Sequence, residues 1–577
     1  MKKIFNIFCA VCAMAVLASC ESFLDEHTPQ GALNEDQVKD PENAENMVMA
    51  AYAVFTSAED INSSFSMWNF DVRSDDAYKG GNGTGDGDVF HNLEIQKGVL
   101  TTDWNINDMW ERLYVCISRV NAAIVVLNSC DETVFEKKNE RLAEMKFLRA
   151  YAHFLLKRLY KNIPFCVDEN MENDDYYALS NTEYTNDQGW QLIIDDVKEA
   201  FDVLPVTQEQ KGRPTKAAAA AFLAKLYLYK AYRQDDPKSN QVTSINRDDL
   251  QQVLTYTDPD LYEGYGLEAD IHNNFRPEEN YENGVESIWA IQYSRNDGST
   301  YGNLNWGNGL IPPNINKVID GGCDFYKPSQ NLVNAYRVNS NGLPYLDTFN
   351  ENDYDMTAED ADPRLFLTVG IPGLPYMFNP RYMMDKTGSW SRSNGLYGYY
   401  VTMKQNVDPG LVGSYLIKGS FWATSMNRIV FRYADVKLER AEALAQLGQT
   451  PEAIAIVNDI RTRAAGSTQM FRNYPLDYGI SIRCDNYPPG SYSQEETVKI
   501  VKMERRLELG MESERFFDLV RWGEAADVLN KYYAEEIDNC NIYRDAHFTA
   551  NKGEYLPIPF KQMSSSNGHY TQNIGNW

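Results

Sequence analysis

The sequence lacks the short motifs on which several enzyme classes depend. It contains no H-E-x-x-H, no G-x-S-x-G and no P-loop, and its six histidines show no metal-ligand spacing. These absences argue against a zinc hydrolase, a nucleophile-elbow serine hydrolase and a nucleotide hydrolase. A glycosidase stays an open alternative, because the 82 acidic residues could supply two carboxyl groups about 5 to 9 Å apart.

Positive charge is scarce as well. The chain has 54 Lys and Arg against 82 Asp and Glu, which gives a formal net charge of -28 over 577 residues. A surface of this sign repels nucleic acid and anionic lipid. Neutral ligands are therefore expected.

Long apolar runs are missing after Cys20, where no stretch approaches the roughly 18 residues of a membrane-spanning helix. Before it, two lysines precede an apolar run from Ile4 to Leu17 that ends in Leu-Ala-Ser-Cys. This layout predicts a bacterial lipoprotein signal at residues 1–19, with Cys20 as the site of acylation by palmitate-type chains. An ordinary secretory signal cleaved elsewhere is the alternative.

The cysteines form no metal motif. The C-x-x-C pair lies inside the predicted signal, and the six cysteines after Cys20 are far apart. Most of these six are expected to be small buried hydrophobic residues. No metal or cofactor is predicted from them.

Two stretches show helical periodicity. In the first, from Trp110 to about Tyr232, the segment 214–232 is apolar on nearly every face, which predicts a central helix. In the second, from Asn427 to Arg463, Gly448 separates two apolar stripes and Ala453 follows it. This spacing is typical of a tetratricopeptide (TPR) hairpin, in which we expect the glycine to let two helices approach closely.

The composition changes between about residues 264 and 422. This region is rich in Gly, Pro, Asn, Tyr and Trp and holds short strand-like runs such as residues 287–293. Long connections of this kind often carry function. We therefore expect a ligand-binding region here.

Longer stretches in a fixed order carry a family resemblance. They are CESFLDEHTPQ, WERLYVCISRVNAAI, ERLAEMKFLRAYAHFLLKRLY, GRPTKAAAAAFLAKLYLY, ADPRL, FRYADVKLERAEAL, ERRLELGMESERFFDLVRWG and EYLPIP. With them the whole chain resembles the SusD/RagB family of outer-membrane nutrient-binding lipoproteins. The resemblance implies a mainly α fold, in which four TPR-like helix pairs form a scaffold under a loop-rich ligand-binding region with short β-strands.

The segments expected from composition and resemblance make up one SusD-like domain, residues 20–577. They are an N-terminal segment with ligand loops (20–109), TPR-like helices (110–263), the loop-rich binding region (264–422), and C-terminal TPR-like helices with a tail (423–577).

The resemblance also implies a function. Members capture an oligo- or polysaccharide, or a peptide in the RagB branch, and deliver it to a SusC-type TonB-dependent transporter. They are binding proteins and not enzymes, and the lipid on Cys20 would hold this one at the extracellular side of the outer membrane. A TPR scaffold for protein partners is a further alternative, although it would not need the long Tyr/Trp/Gly region.

Sugar sites combine aromatic faces with planar carboxylate, amide or guanidinium groups. A first candidate region before Trp110 includes a Gly- and Asp-rich run at 73–88, whose glycines allow close approach to a ligand. A plain turn or a structural calcium loop is the alternative for this run, although its spacing is not that of an EF-hand. The candidate ligand-binding residues of this region are Asp60, Asn62, Asp75, Asp76, Tyr78, Asp86 and Trp104.

Two later regions add further candidates. The second contributes Tyr301, Trp306 and Cys323, and the third, from 381 to 400, contributes Arg381, Trp390, Arg392, Tyr397 and Tyr399 beside Tyr400. For each aromatic residue, packing under a loop is the alternative. By resemblance, starch-binding members carry an aromatic ligand residue where this chain has Cys323.

Fructose rings offer a smaller flat apolar face than six-membered rings and depend more on hydrogen bonds. Cys323 in an aromatic position, with Asp60, Asn62 and Asp86 in the loops, therefore favours a fructan such as levan or inulin.

The charged residues of two motifs are expected to be structural. Arg364 in ADPRL is one of them. We also expect scaffold ion pairs, and not catalysis, from the charged residues of a helix at 504–523, namely Arg505, Glu508, Arg515, Asp518 and Arg521.

Overall fold

Helices that follow one another along the chain also lie next to one another in space. The computed structural model describes residues 41–56, 68–168, 170, 176–298, 300, 302–315, 317–468, 471 and 479–577. Its longer helices are α1 (Pro41–Thr56), α2 (Trp104–Ser129), α3 (Lys138–Tyr160), α4 (Asn186–Val203), α5 (Lys216–Ala231), α6 (Arg247–Tyr256), α7 (Tyr433–Leu447), α8 (Thr450–Gly466), α9 (Gln494–Leu509), α10 (Arg515–Trp522) and α11 (Ala525–Glu536). Each of α1 to α6 packs against the next, α6 packs against α7, and α7 contacts both α8 and α9. The prediction of a mainly α fold built on packed helices is confirmed.

The strands are short and pair in twos. β1 (Ala77–Gly80) pairs with β3 (Phe325–Pro328), β2 (Ser287–Ile291) with β6 (Arg428–Arg432), and β4 (Leu416–Lys418) with β5 (Trp422–Thr424), all antiparallel. The two-residue strand pairs are Tyr232–Arg233 with Ser244–Ile245, Val369–Gly370 with Val401–Thr402, and Asp360–Ala361 with Ser481–Ile482. Three of these six pairs, β1 with β3, β2 with β6 and Asp360–Ala361 with Ser481–Ile482, join distant parts of the chain, so they decide which loops meet.

Short helices occupy the connections. The α-helical ones are Trp68–Asp71, Asp88–Glu94, Gln330–Ala335, Arg364–Thr368, Asn394–Tyr397 and Phe560–Ser565. The 3-10 helices are Tyr176–Ala178, Pro259–Tyr262, Ile271–Phe275, Trp306–Asn308, Tyr376–Phe378, Pro409–Leu411 and Asn541–Asp545. Among the described residues, no helix combines the length and the apolar character that crossing a bilayer requires.

Capping side chains explain where several helices begin. Before α4, the Thr185 hydroxyl accepts a hydrogen bond from the Gln188 amide (3.2 Å), and the Gln188 side chain accepts one from the Thr185 amide (2.9 Å). This capping box satisfies amides that no helical carbonyl reaches. Thr215 before α5, Asn246 before α6 and Ser493 before α9 accept similar hydrogen bonds.

Gly448 ends α7 in a left-handed conformation with φ of 82°. The predicted hairpin is confirmed, because α8 starts directly afterwards and packs against α7. The prediction that this glycine lets the two helices approach closely is wrong. A Cβ at Gly448 would meet no atom within 4 Å, so the positive φ and not close helix approach requires glycine here.

Helix α5 is the predicted central helix. All of its residues except Lys216 and Lys230 are buried, and it contacts α4, α6, α7, β2 and β6. Its one fully enclosed charge, Lys225, lies 2.8 Å from Asp435 and 3.1 Å from Glu439 of α7. Such pairing is needed because an unpaired buried ammonium group costs several kcal/mol.

Two predicted helical stretches have different limits. The stretch expected to start at Asn427 opens with the strand β6, and its first helix starts at Tyr433. The single helix expected at 504–523 is two helices, α9 and α10, with a break after Leu509. In addition, the segment 20–109, for which ligand loops are predicted, also contains the helix α1, which packs against α2.

Buried ion pairs fasten the short helix Arg364–Thr368 to α9. The guanidinium of Arg364 lies 2.7 Å from Asp362, 2.7 Å from Glu504 and 3.0 Å from Glu508. Burial alone would lower the pKa of Arg364, but the carboxylates of Asp362 and Glu504 raise it well above its ordinary range. The structural role of Arg364 is confirmed. The predicted scaffold ion pairs of Arg505, Glu508, Arg515, Asp518 and Arg521 are formed as well.

The cysteines behave largely as expected. Cys116, Cys130, Cys323, Cys484 and Cys540 are buried, Cys166 is half-buried, and all six are free thiols. They contribute packing rather than cross-links.

Candidate functional site

The pairing of β1 with β3 brings a glycine-rich loop, residues 81–87, against residues 321–324. The Gly81 amide donates a hydrogen bond to the Asp324 carbonyl oxygen (2.9 Å). Gly80, just before the loop, has φ of 79°, and a Cβ there would lie only 2.3 Å from the same oxygen. Glycine is therefore required for the close approach of the two loops.

The Lys79 ammonium group fills the inside of the glycine-rich loop. Its Nζ donates to the carbonyl oxygens of Gly80 (2.9 Å), Gly83 (3.0 Å) and Asp86 (2.5 Å). Burial lowers the pKa of Lys79 to about 8. Calcium prefers oxygen ligands such as these carbonyl groups. In this loop the Lys79 ammonium group occupies the position among the carbonyl oxygens that a bound calcium ion would take. Within the described ranges, no group of three or more His, Cys, Asp or Glu side chains is placed to hold a metal.

An ion pair between Asp86 and Arg392 joins the glycine-rich loop to a second loop, residues 388–400. Arg392 Nη1 lies 3.2 Å from Asp86 Oδ2, which also accepts a hydrogen bond from the Asn82 amide (2.7 Å). The Arg392 amide donates to Asp324 Oδ2 (3.1 Å). The side chains of Asp86 and Arg392 are 34% and 33% exposed. Both therefore keep hydrogen-bonding capacity for hydroxyl groups of a ligand.

Trp104 adds an aromatic face next to these loops. It is the first residue of α2, is 39% exposed, and contacts the Phe90 ring edge to face at 5.7 Å. Phe90 contacts Phe325 at 6.3 Å, and a Cβ at Gly87 would lie 2.8 Å from the Phe90 ring. Phe90 thus connects Trp104 to the glycine-rich loop. A partly exposed indole beside planar polar groups provides both kinds of contact that a sugar ring needs.

Cys323 and Tyr399 belong to the same loops. Cys323 is 9% exposed, and burial raises the pKa of its thiol. Tyr399 is 48% exposed, and its ring packs on Gly388, 2.5 Å from the position of an added Cβ. The predicted residues that these loops and the start of α2 present together are called the loop site: Asp86, Trp104, Cys323, Arg392 and Tyr399.

Trp306 lies against the β4–β5 hairpin. A Cβ at Gly419 would lie 2.4 Å from its ring, so the glycine makes room for this half-buried indole. In the same hairpin, Trp422 Nε1 donates to the Asp320 carbonyl oxygen (3.0 Å). This bond ties the hairpin to the segment that leads into Cys323.

Several predicted ligand residues are buried and bound to the protein itself. They are Asp75, Asp76, Tyr78, Trp390 and Tyr397. Asp75 accepts two hydrogen bonds from Arg515 (2.8 and 2.9 Å), and Asp76 lies 2.8 Å from Arg506. The carboxyl groups of this aspartate pair therefore fasten β1 to α9 and α10.

The three buried aromatic residues of this group have intramolecular contacts too. The Tyr78 hydroxyl donates to Glu536, and burial raises the pKa of Glu536 to about 7. Trp390 contacts the Tyr376 ring edge to face at 5.5 Å, and the Tyr397 ring lies 6.5 Å from that of Tyr78. This geometry gives them packing roles and places none of them on the surface of the loop site.

The remaining predicted residues are distributed as follows. Cys20, Asp60, Asn62 and Tyr301 lie outside the described residues. Tyr400 is half-buried and donates to the Gln330 side chain (3.2 Å). Arg381 is exposed and lines a separate cleft together with residues 270–281 and 408–411.

Sequence reasoning missed three residues that shape the loop site. Lys79 directly precedes the run of glycines, and a single cation next to a flexible loop could have been recognised as a donor to the loop's carbonyl oxygens. Phe90 and Phe325 carried no such signal, because only the pairing of β1 with β3 brings them together.

The comparison with known families agrees with this architecture. Residues 285–577 match a family model described as the SusD family, and residues 22–228 match one described as starch-binding, associating with the outer membrane. The chain belongs to the SusD family.

Curated relatives of this SusD-family protein share a modest fraction of its residues. It is 23% identical to SusD-like protein P25 of Formosa agariphila, with 97% of both chains covered. It is 25% identical to a SusD-like protein of Bacteroides ovatus, over 74% of this chain and 67% of the relative.

Solved structures share the fold of the SusD-family protein. A SusD homolog from Bacteroides thetaiotaomicron has a TM-score of 0.69 at 20% identity, covering 94% of this chain and 99% of the other. Surface glycan-binding protein A from the same organism, in complex with laminarihexaose, has a TM-score of 0.65 at 20% identity and coverages of 92% and 99%. A structure described as a laminarin binding SusD-like protein has a TM-score of 0.61 at 23% identity and coverages of 93% and 100%. These descriptions are of SusD-like or glycan-binding proteins and not of enzymes, as predicted.

Proposed function

We propose that this SusD-family protein binds a glycan at the loop site and delivers it to a SusC-type TonB-dependent transporter. The observation that carries the binding role is the convergence, around one glycine-rich loop, of a partly exposed indole and a partly exposed carboxylate–guanidinium pair. Trp104 offers an apolar face to a sugar ring, while Asp86 and Arg392 offer an acceptor and donors to its hydroxyl groups.

The charge of the protein supports a neutral glycan. Its formal net charge is -28, and in the loop site the charge of Arg392 is balanced by Asp86. An anionic polysaccharide would be repelled by the whole surface and would meet no excess of cations at the site.

The proposed glycan is a fructan such as levan or inulin. Cys323 is small and nearly buried where starch-binding relatives are expected to place an aromatic ring, so one stacking surface is missing. The Asp86–Arg392 pair then carries a larger part of the binding, which suits the smaller apolar faces of fructose rings. Asp60 and Asn62, which the sequence adds as ligand residues for a fructan, lie outside the described residues and stay predictions.

The location of the protein is a part of the same proposal. The Leu-Ala-Ser-Cys sequence supports acylation of Cys20, and the matched description of association with the outer membrane supports that membrane as its site. An anchor on the extracellular side would keep the loop site beside the transporter. Cys20→Ala should release the protein from the outer-membrane fraction and abolish labelling by a palmitate analogue.

Affinity electrophoresis over a panel of levan, inulin, laminarin, starch, xylan and pectin tests the binding role. Retarded migration in levan or inulin supports the full proposal, whereas retardation in another neutral glycan alone overturns the fructan assignment. No retardation in the whole panel would favour a peptide ligand or a protein scaffold. Release of reducing ends by the purified protein would make it a hydrolase.

Trp104→Ala localises the binding. It should weaken binding of the retarding glycan by about 1 to 3 kcal/mol, as for other aromatic residues at the centre of an interface. Tyr492→Ala is the matched control, because Tyr492 is a half-buried aromatic residue whose ring contacts Tyr487 and no residue of the loop site. An unchanged affinity of the Trp104 variant would exclude Trp104 from the site.

Co-purification with a SusC-type transporter tests delivery. We expect the wild-type protein and the transporter to be recovered together from solubilised outer membrane. Recovery of the lipoprotein free of any transporter would contradict the delivery role without touching the glycan result.

A further inference from the structure

A second cleft lies apart from the loop site. It has a volume of about 520 Å³ and is formed by residues 270–281, 377–381 and 408–411. No loop-site residue lies in these three segments. Ligand pockets commonly have volumes of roughly 300 to 1,000 Å³, so the cleft is large enough for a small polar ligand.

Aromatic rings form part of its wall. The Arg276 guanidinium covers one face of the half-buried Tyr281 ring, 3.7 Å from its centroid, and it is ion-paired with Glu278. The Phe378 ring, which also lines the cleft, contacts the His272 ring at 4.8 Å. Two of the three segments that form the cleft thus contribute aromatic rings whose positions are fixed by neighbouring side chains.

Polar groups around the cleft are positioned in advance. Asn379 Nδ2 lies 2.9 and 3.1 Å from the two carboxylate oxygens of Asp408, and the Gly410 amide donates to Asp408 Oδ1 (2.8 Å). The guanidinium of Arg381 is exposed and makes no ion pair with a described residue. Arg381 therefore has donors available for a ligand, next to an acceptor that is already oriented.

The backbone beside these groups is held in a strained conformation. Met377 and Phe378 are consecutive, buried, non-glycine residues with φ of 50° and 57°. Such conformations cost about 1 to 3 kcal/mol each and are found mainly where a structure must shape a binding or catalytic site. Hydrogen bonds from the Tyr376 amide to the Tyr382 carbonyl (2.9 Å) and from the Tyr382 amide to the Asn379 carbonyl (2.9 Å) close this turn.

The charges of the cleft indicate the kind of ligand. Its cations, Arg276 and Arg381, are outnumbered by the acids Asp270, Glu278 and Asp408. His272 adds no charge, because burial and the nearby Arg276 lower its pKa to about 3. The cleft therefore offers no attraction to a sulfated or uronic-acid sugar, and its aromatic and planar polar groups match a neutral one.

We propose that this cleft is a second carbohydrate site, which binds a neutral sugar segment independently of the loop site. The inference rests on the proposed function, since the same glycan would supply the ligand for both sites. A protein with two separate sites would hold a long polysaccharide at two points and release it more slowly than either site alone.

Isothermal titration of the full protein with defined hexasaccharides tests the inference. The probes are an inulin-type fructan hexasaccharide, laminarihexaose and maltohexaose, with hexagalacturonate as the anionic comparison. We expect about two equivalents of one neutral hexasaccharide to bind. Arg381→Ala and Tyr281→Ala should each reduce this to about one, and Trp104→Ala should remove the other.

The outcomes separate the two proposals. One equivalent that only Trp104→Ala removes would overturn the second site and leave the loop site standing. One equivalent that only the cleft variants remove would support the cleft and overturn the loop site. No binding of any hexasaccharide, or preferred binding of hexagalacturonate in the cleft, would overturn the inference.

Two control measurements distinguish loss of binding from loss of folding. Arg381 is exposed, so its alanine variant should keep the melting temperature of the wild type even if the Tyr281 variant is less stable. Arg544→Ala removes an exposed arginine elsewhere and should leave the stoichiometry at about two.

Discussion

Lys79 should control the shape of the glycine-rich loop, and Lys79→Met tests this. The substitution keeps most of the side-chain volume but removes the ammonium group that donates to three loop carbonyl oxygens. A hydrogen bond from a charged group contributes about 1.5 to 3 kcal/mol. Burial of the charged group costs free energy in the wild type, as the lowered pKa of Lys79 indicates. The substitution removes this cost, which offsets part of the loss of the hydrogen bonds. We expect a net loss of about 2 kcal/mol of local stability.

Hydrogen exchange of backbone amides measures this loss where it occurs. The Gly81 amide is bonded to Asp324, the Asn82 amide to the Asp86 side chain, and the Asp86 amide to Gly83. If these amides exchange by local opening, about 2 kcal/mol corresponds to exchange roughly 30-fold faster. Because the loop orients Asp86, affinity for the glycan should also fall, by about tenfold.

Lys97→Met is the matched control for Lys79→Met. Lys97 is 62% exposed and faces Asp545 at 3.8 Å, so its removal should change stability by less than about 0.5 kcal/mol. Wild-type exchange rates at residues 81–86 in the Lys79 variant would refute the reasoning. They would mean that the loop keeps its shape without the ammonium group.

Three further predictions concern stability. Gly80→Ala should destabilise the protein by at least about 2 kcal/mol in urea unfolding, because its Cβ would meet a carbonyl oxygen at 2.3 Å; Gly83→Ala, with φ of 85° but open space, should cost only about 1 kcal/mol, and equal losses would contradict the steric argument. Arg364→Met removes the ion-pair partner of the buried Asp362 carboxylate, although Glu504 keeps Arg461 and Glu508 keeps Arg463, and it should cost about 3 to 5 kcal/mol. Arg392→Met at a partly exposed pair should cost about 1 kcal/mol or less. Burial raises the pKa of Glu536 from 4.5 to about 7, so the folded state binds this proton more tightly than the unfolded state does. The free energy of unfolding should therefore fall as the pH rises from about 4.5 to about 7. Glu536→Gln should flatten that part of the profile of melting temperature against pH, and an unchanged profile would argue against the raised pKa.

The helical scaffold could be predicted because its signals are local. The apolar surface of α5 and the glycine that ends α7 are visible in a window of about one helix, and the structure has both elements. The limits of α9 and α10 were less accessible. Their charged residues pair with groups elsewhere in the chain, so the break after Leu509 is a property of packing and not of periodicity.

The loop site could be predicted only in part. The candidate aspartates near the glycine-rich loop look alike in the sequence, yet Asp75 and Asp76 are buried against arginines while Asp86 is partly exposed. The second cleft escaped prediction except for Arg381, because its three segments are more than a hundred residues apart at their extremes.

The sequence by itself determined the negative charge, the apolar faces that become helices, and the order of motifs that marks the SusD family. Those properties depend on composition and on neighbours within a few turns of helix. Only the tertiary structure decided which polar residues remain available to a ligand. Asp76 is bound by Arg506, 430 positions away, while Asp86 meets Arg392 at the surface. Burial depends on such distant partners, and no local pattern in the chain specifies them.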